Sequence, residues 1–411
     1  MEFELAERYK GTAWGEEASA MLRACVQCGN CEATCPTFRL VKDPWDGPRG
    51  RIVLISQVMA GAEPGADVRH HLDRCLTCRS CETTCPEGVR FGRLLDIARE
   101  LVEERWPRPL ADRLIRRGLR MVLPHRHRFT ALLRLGQATR RFLPAALRAK
   151  IPDRRPGGAW PMRSHPRTML VWQGCVQPGV APDINAAAAR VLDRFGVRLI
   201  PAKGGCCGAI SHHMAAAGEA RDRMRRNIDA CWPQIEAGAE AIVMTASGCG
   251  AHLRDYGHLL RDDPVYRDKA ARVAAMTMDI AEVVSREWPG ELVVQPADPP
   301  RRIAFQSPCS LQHGQKLNGV AERLLKRAGF RLIPVDYPFM CCGSAGTYSL
   351  LQPALAESLR EQKLHTLTRS RPTMIATANI GCMMHLAAAS PVPVGHWIEL
   401  LDEVLPARRD D

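Results

Sequence analysis

The chain of 411 residues contains no apolar run approaching the roughly 18–20 residues that cross a bilayer. Its opening stretch, MEFELAERYKGT, is charged and has no apolar h-region, so no export signal is expected. These absences predict a soluble or peripheral protein, cytoplasmic or held on the cytoplasmic face of the inner membrane. There is no G-x-G-x-x-G fingerprint and no G-x-x-x-x-G-K-[ST] loop, which argues against a dinucleotide or P-loop site. Aromatic residues are scarce, at 5%, and no nucleic-acid-binding motif accompanies the basic residues. A nucleic-acid partner is therefore not expected. Acidic residues nearly vanish between 105 and 155, where fifteen Arg and Lys face only Asp112 and Asp153. The net charge of +13 thus belongs to one segment, and the rest of the chain is balanced.

What the chain does have is cysteine, seventeen in all. Eight fall in one pattern written twice: Cys25-Val-Gln-Cys28-Gly-Asn-Cys31-Glu-Ala-Thr-Cys35-Pro36 and Cys75-Leu-Thr-Cys78-Arg-Ser-Cys81-Glu-Thr-Thr-Cys85-Pro86. Both read C-x2-C-x2-C-x3-C-P, the spacing of bacterial ferredoxins with two [4Fe–4S] clusters, in which the fourth cysteine ligates the other cluster. Soft thiolates suit such clusters. Cluster 1 is expected to take Cys25, Cys28, Cys31 and Cys85, and cluster 2 to take Cys75, Cys78, Cys81 and Cys35. The crossing would hold two clusters close together, as an electron relay needs. Zinc sites prefer paired C-x2-4-C or histidine patterns, and disulfides need an oxidising compartment. Neither fits as well.

The fold class expected is multidomain: an α-helical ferredoxin-like domain over 1–101, then a duplicated α/β domain. Between the cysteine runs, Pro48 suits a helix start, and Ile52, Leu54, Ile55, Val58 and Met59 form an apolar face. Residues 102–165 read as a basic helical connector. It is either a solvated linker or a docking surface for an acidic partner or anionic lipid. Arg113, Arg116, Arg117 and Arg120 are its expected contacts.

Residues 166–297 and 298–411 read as two related units. RTMLVWQGC ending at Cys175 matches RIAFQSPC ending at Cys309, and VRLIP and FRLIP lead to Cys206-Cys207-Gly208 and Cys341-Cys342-Gly343. Further strands lead to Cys249 and Cys382. Alternating strand and helix predicts parallel α/β units. Each cysteine follows a strand, where parallel sheets bind ligands. Each unit ends C-x2-H-L, with His252 and His385 at matching positions. Cys175, Cys206, Cys207 and Cys249 form one further candidate metal site, and Cys309, Cys341, Cys342 and Cys382 its counterpart. His252 and His385 are weaker candidates, open to ligand, supporting or packing roles. Buried unligated thiols are the alternative for both sets, and Cys231, outside the repeat, is expected to be structural.

The C…CCG…C pattern resembles the CCG domain of heterodisulfide reductase-like proteins, whose last element is commonly C-x2-C rather than C-x2-H. The whole chain resembles the iron–sulfur subunit of bacterial glycolate oxidase (glycolate dehydrogenase). The match is carried by DGPRGR at 46–51, HLDRCLTCRSCETTCPEGVRFGRLLDIAR at 71–99, CCGAISHH at 206–213, CCGSAGTYSL at 341–350 and ANIGCMMHL at 378–386. The resemblance implies a non-flavin subunit that carries electrons during oxidation of glycolate to glyoxylate. Its implied partners are an FAD-binding subunit, a second flavoprotein-like subunit, and a quinone or other acceptor. The same layout occurs in lactate and glycerol-3-phosphate dehydrogenase systems, and a thiol–disulfide catalyst or a scaffold stabilised by its clusters are the alternatives of another class.

Overall fold

Six helices make the N-terminal part: α1 (Ala13–Ala24), α2 (Pro36–Val41), α3 (Pro48–Met59), α4 (Ala66–Asp73), α5 (Ser80–Thr84) and α6 (Phe91–Arg105). The computed structural model describes residues 3–142, 144, 148, 151–290, 292–294 and 299–406. Pro36 and Pro48 start α2 and α3, where a missing N–H costs nothing. Thr12 caps α1 by accepting the Gly15 N–H. The apolar face of α3 turns inward, and Ile55 and Met59 pack with Leu22 of α1, Leu72 of α4, and Leu94 and Leu95 of α6. No strand occurs among the described residues before Arg167. Helix α6 runs on to Arg105, through the expected boundary at 101/102.

The connector holds α7 (Leu110–Val122) and α8 (Arg126–Thr139). Two of its arginines, Arg108 and Arg116, are turned inward. Arg108 bonds Asp73 at 2.5 Å, Glu103 at 2.6 Å and Asp112 at 3.0 Å, and Arg116 bonds Asp73 and Asp112. Arg120 reaches Glu219. Arg116 and Arg120 are therefore internal ties, not the free contacts expected of them, because Asp73 and Glu219 lie on the surfaces the connector crosses. Leu110, Leu114, Ile115 and Met121 of α7 are exposed instead. Part of the run 129–143, together with residues 145–147 and 149–150, lies outside the described residues, as does the expected boundary at 297/298.

Two four-stranded parallel sheets follow. β1 (Arg167–Val171), β2 (Val197–Pro201), β3 (Ile242–Met244) and β4 (Thr277–Asp279) lie in the order β2-β1-β3-β4. β5 (Arg302–Gln306), β6 (Arg331–Leu332), β7 (Met374–Thr377) and β8 (Val394–His396) repeat it as β6-β5-β7-β8. All pairings are parallel, as crossover helices require. The central strands are buried on both faces, which explains their unbroken apolar sequence. The chain leaves β1 toward β2 and returns to β3 on its other side. A crevice therefore opens between the carboxyl ends of β1 and β3, and likewise of β5 and β7. One hydrophobic core runs through both units, from Ile184 and Val191 to Leu325, Leu401 and Trp397.

The units are also tied by polar contacts. His396 caps the helix Trp397–Val404: its Nδ1 accepts the Ile398 N–H at 3.3 Å, and its Nε2–H donates to the Thr245 carbonyl of the first unit at 2.9 Å. The ring is fully buried, and burial pushes its pKa down to about 4. A proton on Nδ1 would remove the cap. An unfolded histidine near pH 6.5 takes up a proton that the folded one refuses. Stability from this group is thus complete above about pH 6.5 and is lost as pH falls toward 4. The slope approaches about 1.4 kcal/mol per pH unit inside that window. Denaturant unfolding at several pH values between 7 and 5 should show a shallower profile for His396→Gln than for the parent. Parallel profiles would contradict the assignment.

Candidate metal centres

Each N-terminal cysteine run turns through two left-handed residues: Gln27 and Gly29, with φ of 57° and 78°, and Thr77 and Arg79, with φ of 52° and 59°. The matched turns give both copies one loop shape. Cys25, Cys28, Cys31 and Cys85 line a cavity of about 30 Å³, walled by Pro48, Ile52, Val89 and Phe91. Cys35, Cys75, Cys78 and Cys81 line a second of about 20 Å³. Each cavity holds three cysteines of one run and the fourth of the other. Cys81 borders both. Four convergent thiols with largely apolar walls are a donor set suited to iron–sulfur clusters. Burial pushes the Cys31 thiol up to about 11 and the Cys78 and Cys81 thiols well above the usual range. A metal must displace those protons on binding.

Buried charge flanks the second set. The Arg51 guanidinium is almost fully buried, donating to Thr37 Oγ1 at 3.2 Å and the His71 carbonyl at 2.7 Å. Cys35 Sγ lies 3.3 Å from the same Thr37 hydroxyl. Asp46 holds Arg51 at 3.5 Å and also binds His71 and Arg74. A desolvated cation here lowers the cost of gathering thiolate charge at Cys35 and Cys75, the groups that in turn hold Arg51 protonated. Sequence reading assigned DGPRGR no role at the site. The informative signal was an arginine placed just inside an apolar helix.

The remaining candidates share one cavity of about 230 Å³. Cys175, Cys206, Cys207 and Cys249 line it from the first unit, and Cys309, Cys341, Cys342 and Cys382 from the second. The expectation was a separate crevice per unit. The two crevices face one another because the sheets pack through a common core, with Ser247 and Ser310 bonded across at 2.8 Å. Cys78 lines this cavity too, so one residue touches both the second ferredoxin-type set and the shared chamber.

Backbone geometry fixes the vicinal pairs. Gly208 and Gly343 have φ of 100° and 89°, and a Cβ on Gly343 would meet the Ala356 carbonyl at 2.5 Å. In the first unit Asn227 donates to the Cys206 carbonyl at 2.7 Å, and the Tyr256 hydroxyl to the Cys207 carbonyl at 2.6 Å. Thiols of Cys175 and Cys207 donate to Cys206, holding it well below the usual thiol range, with help from the Gly208 N–H. In the second unit Cys309 and Cys341 sulfurs stand 3.9 Å apart. Lys363 lies nearby, its ammonium on the Tyr337 and Pro338 carbonyls, lowered to about 8 by burial against the pull of four thiols. No sequence signal marks Lys363. Cys231 lies in the first unit's core, away from the cavity.

The two histidines at C-x2-H differ. His385 Nε2 bonds the Ala356 carbonyl at 3.1 Å and does not line the cavity. His252 lines it, beside His212 and His213. The latter two are not among the candidates read from the sequence, although they stand four and five residues after Gly208.

The N-terminal part docks on both units. Arg79 pairs with Asp255 at 2.5 Å, Arg261 with Glu17 at 2.6 Å, and the Tyr348 hydroxyl donates to the Arg74 carbonyl at 3.1 Å. A family model of the 4Fe-4S dicluster domain matches residues 21–89, and one of the cysteine-rich CCG domain matches 169–254 and 303–387. The chain is 50% identical over 407 residues to the glycolate oxidase iron-sulfur subunit of Escherichia coli (strain K12), covering 98% of this chain and 99% of that protein. The chain belongs to the family of glycolate oxidase iron–sulfur subunits. The probable glycolate oxidase iron-sulfur subunit of Bacillus subtilis (strain 168) is 29% identical over 396 residues, covering 88% and 87% of the two chains. Lactate utilization protein A of Geobacillus thermodenitrificans (strain NG80-2) is 26% identical over 230 residues, covering 54% of this chain and 92% of its own. The lactate relative thus spans about half of this family's layout.

Proposed function

We propose that the chain is the electron-transfer subunit of a glycolate oxidase (glycolate dehydrogenase) complex. It carries electrons from the flavin of a separate FAD-binding subunit toward a quinone or another acceptor, with a second flavoprotein-like subunit in the assembly. The observation that carries this reading is the unbroken series of thiol-lined cavities: one set meets the next at Cys81, and that set meets the shared chamber at Cys78. Iron–sulfur clusters, when bound, supply one-electron transfer. Cys25, Cys28, Cys31 and Cys85 would hold one [4Fe–4S] cluster, and Cys75, Cys78, Cys81 and Cys35 the other. Cys175, Cys206, Cys207 and Cys249, and Cys309, Cys341, Cys342 and Cys382, would hold further iron–sulfur groups. Ile52 and Phe91 give the first cavity an apolar wall, and Arg51 offsets negative charge at the second. Two-electron oxidation of a 2-hydroxy acid belongs to the partner's flavin, and this chain empties it singly.

The test is glycolate added anaerobically to the full chain co-purified with its flavin partner. Glycolate should reduce the chain's iron–sulfur signals faster than lactate does. A flavin that reduces while those signals stay oxidised would overturn the proposal, and faster reduction by lactate would move it to the lactate systems.

Helix α7 supplies a peripheral contact with an anionic lipid surface. Exposed Leu114 and Ile115 stand beside exposed Arg113 and Arg117, the composition of an interfacial helix. No helix among the described residues is long and apolar enough to cross a membrane. At about 1 kcal/mol per arginine, Arg113→Ser with Arg117→Ser should weaken binding to anionic vesicles about thirtyfold. Leu114→Ser with Ile115→Ser should weaken it at low and high salt alike. Unchanged partition of both double variants would contradict the contact.

A further inference from the structure

We propose that Asp96, His212 and His213 bind one zinc ion between α6 and the first cysteine-rich unit, with His252 facing it as a fourth donor. Asp96 projects from α6, and the two histidines end the short helix Ala209–His213 that follows Cys206-Cys207-Gly208. One donor atom from each of the three residues lies within 4.8 Å of the others. Side-chain rotation closes that span to the roughly 3.3–4.2 Å between ligands that share an ion at about 2.0–2.1 Å. The His252 ring centroid is 5.3 Å from that of His212 and 6.1 Å from that of His213.

The second, independent observation is a set of buried atoms left without hydrogen bonds. Asp96 Oδ1, His212 Nδ1, His213 Nδ1 and His252 Nε2 have no hydrogen-bond partner among the described residues. His212 and His252 are 8% and 5% exposed. A packing role for one stacked imidazole is ordinary, but unpaired atoms on all three residues of one convergent group, with a fourth on the neighbouring His252 ring, call for a shared partner. Water would satisfy two to four such atoms. A cation satisfies them while also neutralising the carboxylate. Nitrogen and oxygen donors without a thiol favour zinc over an iron–sulfur group.

The surrounding charges allow it. Glu100 stands one turn along α6 and is acted on by His212. Arg79 and Arg99 also approach, but Arg79 is paired with Asp255 and Arg99 is bonded to the Leu72 and Cys75 carbonyls. The second unit has no equivalent. Thr347 and Tyr348 occupy the places of His212 and His213, and Tyr348 instead bonds the Arg74 carbonyl. Both units thus use the segment after Cys-Cys-Gly to hold the N-terminal part, one by a hydroxyl and one by the ion.

The experiment uses the full chain purified anaerobically with its iron and sulfide intact, dialysed against micromolar zinc and then against buffer. Metal analysis should find one zinc per chain. X-ray absorption at the zinc edge should show only nitrogen and oxygen neighbours, at about 2.0–2.2 Å. Asp96→Asn and His213→Gln should each lower zinc affinity at least about tenfold while acid-labile sulfide stays at the parent level. Absence of zinc from the parent chain would overturn the proposal. So would sulfur in its coordination shell at about 2.3 Å, which would place the ion among the cysteines, or parent-level zinc in both variants. Should either variant lose its sulfide, the absorption shell of the parent chain still decides.

Discussion

The structure depends on an exchange of cysteines between two short loops. Cys85 closes the cavity begun by Cys25, Cys28 and Cys31, while Cys35 closes the one begun by Cys75, Cys78 and Cys81. Neither loop can form its cavity alone. α2 must follow Cys35 directly, α5 must end at Cys85, and α3 and α6 must fill the space between. The small helical core, built on Leu22, Ile55, Met59, Leu94 and Leu95, therefore does two jobs. It stabilises the N-terminal part, and it fixes the separation of the two thiol sets. The buried Asp46–Arg51–Arg74 group is affordable because Arg51 answers both Asp46 and the sulfurs.

Parallel topology does the same work in the other half. Crossovers on both sides of β1 open a crevice at its carboxyl end, and the repeat makes a second at β5. The common core sets these crevices face to face, so eight cysteines of two units line one chamber. Docking through Arg79–Asp255, Arg261–Glu17 and Tyr348 then brings Cys78 to the chamber wall. An electron carrier needs its sites near one another more than it needs a substrate pocket, and the packing of three parts delivers that proximity.

The sequence disclosed what period and spacing encode. The doubled C-x2-C-x2-C-x3-C-P runs, the apolar face of α3 and the strand–cysteine repeats are local patterns, and the structure contains helices, strands and loops at those places. Long-range pairing was hidden. Nothing near Arg116 announces that Asp73 will receive it, so a basic segment read as an exposed surface when its arginines are partly internal. Lys363 looks like any helical lysine until the fold sets it beside four thiols. His252 and His385 hold equivalent places in the sequence, yet one ring lines the chamber and the other bonds a backbone carbonyl, a difference set by long-range packing.

The crossed cysteine sets are tested most directly by electron paramagnetic resonance of the reduced Cys35→Ser chain beside the parent. The crossing predicts damage to the cluster of Cys75, Cys78 and Cys81, with the signal of the Cys25, Cys28 and Cys31 cluster retained and no longer broadened by a close neighbour. Loss of the Cys25, Cys28 and Cys31 cluster with the other intact would contradict it.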